Sequence, residues 1–484
     1  MITHKKIYSA VFFLVLLKII VMLSQQTLVE EAYYWNYARN LDYGYLDHPP
    51  MVAILIAMSK FFFGDNELAI RLPALICWVV ATVYTCKLSE LIRVGTGKIA
   101  MFLMAILPFF FLQSMFMTPD LPQMMFWSAT LYYCYRAIIM DEKNCFYSAS
   151  IALGLGLLSK YTIVLLVPAT LVLISIAPEY RKWWRGKELY LGAIIVLLLF
   201  SPVIYWNYKH NWISFAFQTT VRIQDTHRFS THLVLLYTVF FIMPGGLWGL
   251  KKLVTIKQAN NDQNFIKVYT ILPLLVFTLF SFHNQIKFNW LGPVFLALVP
   301  WIAYLLQTSQ YPRHCYRMLM GLIPAYMVAL LIMVSSEPAI LYKLFFNKFF
   351  SWYNLSIDVN KIAQDVEKKS NKAPFLLAMD KYNINSEISF YQQKAVHNKT
   401  IIKSYPVLGQ HVFNNPSLMF KLWDKATNHH GDGLIIMSWN KSDLRADYLT
   451  AFVKFTSDIQ AFLTYSPRGH YHLSRLYFRT AEML

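Results

Sequence analysis

Leu189-Tyr-Leu-Gly-Ala-Ile-Ile-Val-Leu-Leu-Leu-Phe-Ser-Pro-Val-Ile-Tyr-Trp206 carries no charge along its whole length. As a helix rising 1.5 Å per residue it would be about 27 Å long, close to the ~30 Å hydrocarbon core of a bilayer. Ten further apolar runs flank it: 7–24, 68–92, 99–112, 123–140, 146–160, 161–178, 232–250, 267–283, 290–308 and 318–336. The 484 residues are 56% hydrophobic, 17% aromatic and 14% charged. Soluble globular chains are about one quarter charged. This balance excludes a disordered protein and argues against a soluble enzyme. The expected architecture is a polytopic α-helical membrane protein with eleven candidate spans.

The charges orient it. Net charge is +18, from 44 Lys and Arg against 26 Asp and Glu. Such an excess often marks a nucleic-acid binder, but here the cations segregate. With the N-terminus inside, the inner segments are 1–6, 93–98, 141–145, 179–188, 251–266 and 309–317. They hold Lys5, Lys6, Arg93, Lys98, Lys143, Arg181, Lys182, Arg185, Lys187, Lys251, Lys252, Lys257, Arg313 and Arg317. That is the positive-inside pattern, so no nucleic-acid partner is expected. Residues 7–24 lack a small-residue cleavage site and are read as the first span. Lys18 lies within it and is expected to snorkel. The stretch 146–178 would be roughly 50 Å as one helix. A hairpin with Lys160 at its outer tip spares that charge from lipid and keeps Arg181–Lys187 inside. The five Cys show no CxxC and no pairing pattern, so neither zinc nor a disulfide framework is expected.

Residues 25–67 form a long first outer loop. Tyr33, Tyr34, Tyr37 and Leu41 fall on one helical face, as in an amphipathic helix lying in the headgroup plane. A second short helix is expected over Met51–Phe63, too short to span. Residues 1–340 are thus the membrane region. Residues 341–484 are polar enough for a small soluble α/β domain on the outer side, with strand-like runs at 375–379, 388–391 and 433–437 and a helix over 360–369.

On this topology Glu30, Glu31, Asp47, His48, Asp120, Lys160, Arg222, His227, Arg228 and Lys287 share the outer face. Charge beside a membrane is costly and usually functional. Lys and Arg clamp phosphate, and a carboxylate deprotonates or orients a hydroxyl. Each group also has a plain structural use. Glu30-Glu31 suits the first turn of a helix, Thr118-Pro-Asp120 suits a turn, and Asp47-His48-Pro-Pro50 suits a cap. Charge alone leaves open an enzyme, a transporter of anionic lipids and a non-catalytic scaffold. The acidic groups and His48 could take a divalent cation, but no ligand spacing argues for one, so the metal is unknown.

Glu30-Glu-Ala-Tyr-Tyr-Trp35, Gly44-Tyr-Leu-Asp-His-Pro-Pro50, Gly64-Asp65 and Arg71-Leu-Pro73 occur in that order. Thr118-Pro-Asp120, Leu155-Gly-Leu-Leu-Ser-Lys-Tyr161 and Lys287-Phe-Asn-Trp-Leu-Gly-Pro293 follow. Together they resemble the membrane glycosyltransferases of the GT-C fold, which include the protein O-mannosyltransferases and the lipid A aminoarabinose transferases. The resemblance spans roughly residues 25–300 and implies about eleven to thirteen transmembrane helices. It also implies a bacterial inner-membrane protein with a cytoplasmic N-terminus and a periplasmic C-terminal domain. A polyprenyl-phosphate sugar would be the donor, and transfer at the outer face would invert the anomeric carbon. Lipid A or another envelope glycolipid is the first acceptor implied and a protein hydroxyl the second; a lipid-linked-sugar flippase is the non-enzymatic alternative. The family's usual first-loop pair is Asp-Glu. Here Glu30 stands at the catalytic position, with Glu31 and Asp120 able to share the role. Lys160, Lys287 and Arg222 would bind the donor phosphate, and Asp47, His48 and Tyr34 would position substrate.

Overall fold

The computed structural model describes residues 4–176, 178–221, 228–243, 245–308, 310, 313–335, 351–424, 429–465 and 472–484. Helices carry most of the described part of every apolar run. The first ten α-helices are α1 (His4–Ser24), α2 (Val29–Arg39), α3 (Met51–Phe63), α4 (Glu67–Ile92), α5 (Gly97–Ile106), α6 (Pro108–Gln113), α7 (Asp120–Ile138), α8 (Cys145–Leu157), α9 (Leu166–Ile176) and α10 (Lys187–Lys209). Among the described residues, three unbroken helices are long and apolar enough to cross a bilayer, or up to seven when bent pairs count as one span. Several runs are therefore broken rather than straight. Pro108 lacks an amide N–H and fixes φ, so the run 99–112 is cut between α5 and α6. The run 290–308 bends by 54° between Phe288–Leu296 and Leu298–Gln307.

The chain divides into two compact units. One comprises Met1–Ile20, Asp42–Ile54 and Arg71–Leu330; the other comprises Val21–Leu41, Leu55–Ile70 and Leu331–Leu484. In the first unit the run 146–178 breaks at Leu158–Lys160, where the charge demanded. Lys160 is extended (φ −159°, ψ 135°), and a 3-10 turn, Tyr161–Leu165, leads into α9. Gly156 permits this reversal. A Cβ there would sit 2.3 Å from Ile163 Cδ1.

Lys18 does not snorkel. It is 1% exposed, donates to Ser114 Oγ at 2.8 Å, and lies 4.8 Å from the Trp78 ring centroid and 4.4 Å from that of Phe111. A hydroxyl acceptor and two π-faces replace the water that snorkelling would have reached. Replacing a buried charge by an apolar side chain of similar volume is often neutral or stabilising. Lys18→Met is accordingly expected to melt, in detergent, within about 1 kcal/mol of wild type or above it. A loss of several kcal/mol would show the ammonium to be indispensable.

The second unit holds a six-stranded mixed sheet. Its strands are β1 (Phe375–Ala378), β2 (Val407–Leu408), β3 (Gly433–Ser438), β4 (Val453–Phe455), β5 (Gln460–Tyr465) and β6 (His472–Met483). The order is β2-β1-β3-β6-β4, with β5 also on β6; β1 pairs parallel with β2 and β3, and β6 runs antiparallel to its neighbours. Leu377, Leu408, Leu434 and Ile436 form the core under it. The runs at 375–379 and 433–437 are strands as expected. The run 388–391 is not. It lies within the helix Asn383–His397, whose Ile384, Ile388, Tyr391 and Ala395 recur at helical spacing and are all buried. A four-residue window alternating in polarity cannot distinguish the two periods.

The tyrosine face of α2 also differs from expectation. Glu31 through Ala38 are buried. Tyr33 and Tyr37 join an aromatic cluster with Tyr382 and Trp423, so protein rather than headgroup covers them. Polar contacts fix the first-loop segments to the helix Asn383–His397. The Thr27 amide donates to the Tyr391 hydroxyl at 2.9 Å, and that hydroxyl donates to Glu67 Oε1 at 3.1 Å. Lys394 Nζ reaches Glu67 Oε2 at 2.6 Å.

Asp380 precedes that helix and accepts from the Ile384 amide at 3.1 Å. Burial pushes its carboxyl up to about 6 from an ordinary 3.8. The folded state therefore holds the proton more tightly than the unfolded one. Stability falls as pH rises from about 4 through about 6, by up to ~3 kcal/mol. Asp380→Asn should melt higher than wild type at pH 8 and match it near pH 4. Equal melting at both values would show the carboxyl to be solvated.

Candidate functional site

The sequence at the start of α7 builds the central feature. Pro119 is the N-cap residue and Asp120 opens the helix, where the helix dipole favours a carboxylate. Lys160 Nζ donates to Asp120 Oδ1 at 2.6 Å across forty positions of chain. Asn289 Nδ2 donates to Oδ2 at 2.6 Å, and Thr118 Oγ1 adds a longer contact of 3.4 Å. Gln113 Nε2 in turn donates to Thr118 Oγ1 at 2.6 Å. Asp120 is 1% and Lys160 6% exposed. This is a buried ion pair with its carboxylate oxygens occupied, the condition under which such a pair is tolerated. Lys160 uses one of its three N–H bonds here. One turn along α7, Gln123 Nε2 donates to Thr162 Oγ1 at 2.7 Å, while its buried Oε1 has no partner among the described residues.

Asp47 and His48 lie in the same unit, on a loop held against the end of α10. Trp206 Nε1 donates to Asp42 Oδ2 at 2.8 Å. Gly44 lies under the same indole, where a Cβ would be 3.0 Å from the ring. Gln218 Nε2 donates to the Asp47 carbonyl at 2.5 Å. The Met51 amide donates to the Leu158 carbonyl at 2.8 Å, tying this loop to the turn that presents Lys160. Tyr161 Oη and Ser214 Oγ are 3.0 Å apart.

The other expected site residues sit as follows. Lys287 is exposed and precedes a short 3-10 turn; Asn289, two residues on, is the one that reaches Asp120. Arg222 and His227 lie outside the described residues. Glu30, Glu31 and Tyr34 belong to the second unit. Glu30 is exposed, Tyr34 is buried, and Glu31 is buried with Oε2 accepting from the Leu28 amide at 2.9 Å, which caps the start of its own helix. Among the described residues no three His, Cys, Asp or Glu side chains converge as metal ligands. Asn289, Thr118 and Gln113 were not singled out as site residues. Asn289 and Thr118 do lie inside motifs quoted above, which was the available signal.

Residues 47–206 match the family of dolichyl-phosphate-mannose-protein mannosyltransferases. The lipid A galacturonosyltransferase RgtD of Rhizobium johnstonii is 25% identical over 303 residues, which cover 57% of this chain and 60% of that protein. The crystal structure of ArnT from Cupriavidus metallidurans bound to undecaprenyl phosphate superposes with a TM-score of 0.64 at 12% identity, over 99% of this chain and 98% of that one. Its apo form gives 0.61 at 14% identity, over 97% of each. By fold, then, the chain is a polytopic helical membrane protein of the GT-C type. Its loop motifs resemble the polyprenyl-phosphate-sugar-dependent glycosyltransferases of that fold, and the matches over residues 47–206 and to RgtD are similarities of the same kind.

Proposed function

We propose that this protein is an inner-membrane glycosyltransferase that moves a sugar from a polyprenyl-phosphate donor to lipid A or a related envelope glycolipid, with inversion. The observation that carries it is the buried Asp120–Lys160 pair, braced by Asn289, in a fold shared with ArnT. The acceptor oxygen attacks the anomeric carbon as the bond to the lipid phosphate breaks. The leaving group is already an anion, so no general acid is needed. Positive charge on that phosphate is what lowers the barrier. Lys160, held by Asp120 through one N–H, has two left for phosphate oxygens; Lys287 and Arg222 would add to it. Glu30, the exposed member of the first-loop pair, is the base for a hydroxyl acceptor, since Glu31 caps its own helix; Asp47, His48 and Tyr34 position the substrate. The named relative favours a lipid A acceptor, whereas the family description favours a protein hydroxyl. The charge distribution supports an orientation with the N-terminus in the cytoplasm and residues 341–484 in the periplasm.

The test supplies purified protein with undecaprenyl-phosphate sugars and, separately, lipid A or an acceptor peptide, and reads products by mass spectrometry. Sugar on lipid A is the expected result. Sugar on peptide alone would move the acceptor class. Donor translocation without any transfer would replace the enzyme with a flippase.

A further inference from the structure

A cleft of about 450 Å³ opens in the second unit, a volume typical of small-molecule sites. Its walls are the end of α2, the helix Asn383–His397, the edge strand β2 and the Trp423 region. The polar groups on those walls are under-used. Asn36 Nδ2 bonds the Ala32 carbonyl at 2.8 Å, but Asn36 Oδ1 takes no hydrogen bond among the described residues. Ser389 is 8% exposed, and its hydroxyl likewise has no partner among the described residues. The Arg39 guanidinium lies 5.9 Å from the Trp35 ring centroid and makes no hydrogen bond or ion pair among the described residues. Asn36 and Ser389 are nearly buried residues whose free polar atoms face the cleft, where a ligand or ordered water can satisfy them, and Arg39 lies exposed at its rim.

Trp423 supplies the aromatic wall. Trp423 meets Tyr37 at 82° and Phe420 at 80°, and no ring lies parallel to its face among the described residues. Beside it, Asp424 Oδ2 is shared by His411 Nε2 at 3.0 Å and His429 Nε2 at 2.9 Å, which fixes a carboxylate on the cleft wall.

We propose that this cleft binds a pyranose saccharide. The apolar face of the ring would rest on Trp423, and its hydroxyls would bridge Arg39, Asn36 Oδ1 and Ser389 Oγ, groups that supply both donors and acceptors. A phosphate fits poorly, because the lining offers one cation, Arg39, and also a carboxylate, Asp424. An aliphatic ligand fits poorly too, because it would leave an amide, a hydroxyl and a guanidinium desolvated. The site is independent of the transfer reaction, so a chain without transferase activity would still bind.

The experiment uses the full chain in detergent with methyl hexopyranosides, the β-1,6 glucosamine disaccharide and inorganic phosphate, read by saturation-transfer NMR and calorimetry. At least one saccharide is expected to bind saturably. Trp423→Ala should weaken it tenfold or more, Trp423→Phe should keep most of it, and Arg39→Ala, at an exposed position, should weaken it about as much as Trp423→Ala. If Trp423→Ala lowers the melting temperature, Arg39→Ala decides. Absence of saturable binding to any saccharide, binding of phosphate alone, or wild-type affinity in a folded Arg39→Ala variant would each overturn the proposal.

Discussion

Asp120→Asn is expected to lower the transfer rate by about 10²–10³-fold. Two effects are mixed in that single variant. It removes the group that aims Lys160, and it strands a buried ammonium. Breaking a buried pair from one side costs about 3–5 kcal/mol, enough to reduce the folded population by itself. The double variant Asp120→Asn/Lys160→Met separates the effects. With no charge left to strand, its melting temperature should return toward wild type, whereas transfer should stay low because the phosphate has lost its ammonium. Initial rates normalised to folded protein, with melting followed in the same detergent, read both. A double variant that transfers at the wild-type rate would reduce the pair to a structural brace.

Gly292→Ala should be the most damaging single substitution in the membrane region. A Cβ at Gly292 would lie 1.9–2.2 Å from three atoms of the Phe109 ring. That ring is 1% exposed and packed against Phe110 and Phe241, so it has nowhere to turn. Overpacking a filled core typically costs about 1–3 kcal/mol, and an overlap this deep should exceed that range. The expected readout is loss of monodisperse protein on size exclusion. Gly292→Ala/Phe109→Leu should recover much of it by freeing the overlapped volume. Recovery of nothing would place the damage in the backbone bend before Leu298 rather than in the ring contact.

The helical membrane fold was legible because lipid enforces one rule over long stretches: apolar runs must be helices. The break at Leu158–Lys160 was legible for a related reason, since a lysine in mid-run has few low-energy placements. The breaks after Ile106 and Leu296 were less so. Each is set by a proline or by packing, and composition averages over both. In the second unit the sequence signal was weaker. Ile388–Tyr391 alternates like a strand yet sits on a helix, and the α2 tyrosines read as a headgroup face although Tyr382 and Trp423, hundreds of positions later, enclose them. Asp120 and Lys160 stood out by charge. Asn289 did not, because an amide is costly to bury only when unpaired, and its partner is 169 positions away.

The interleaving of Val21–Leu41 and Leu55–Ile70 with residues after 331 sets a biosynthetic clock. Glu67 is made 324 positions before Tyr391 and 327 before Lys394. At translation rates of about 5–20 residues per second, that delay is roughly 15–70 s. Throughout it an acidic side chain and its aromatic neighbours lack the partners they later have. Newly emerged first-loop segments would therefore depend on holding factors, and a ribosome stalled before Tyr391 would leave a threaded but unclosed product for quality-control proteases.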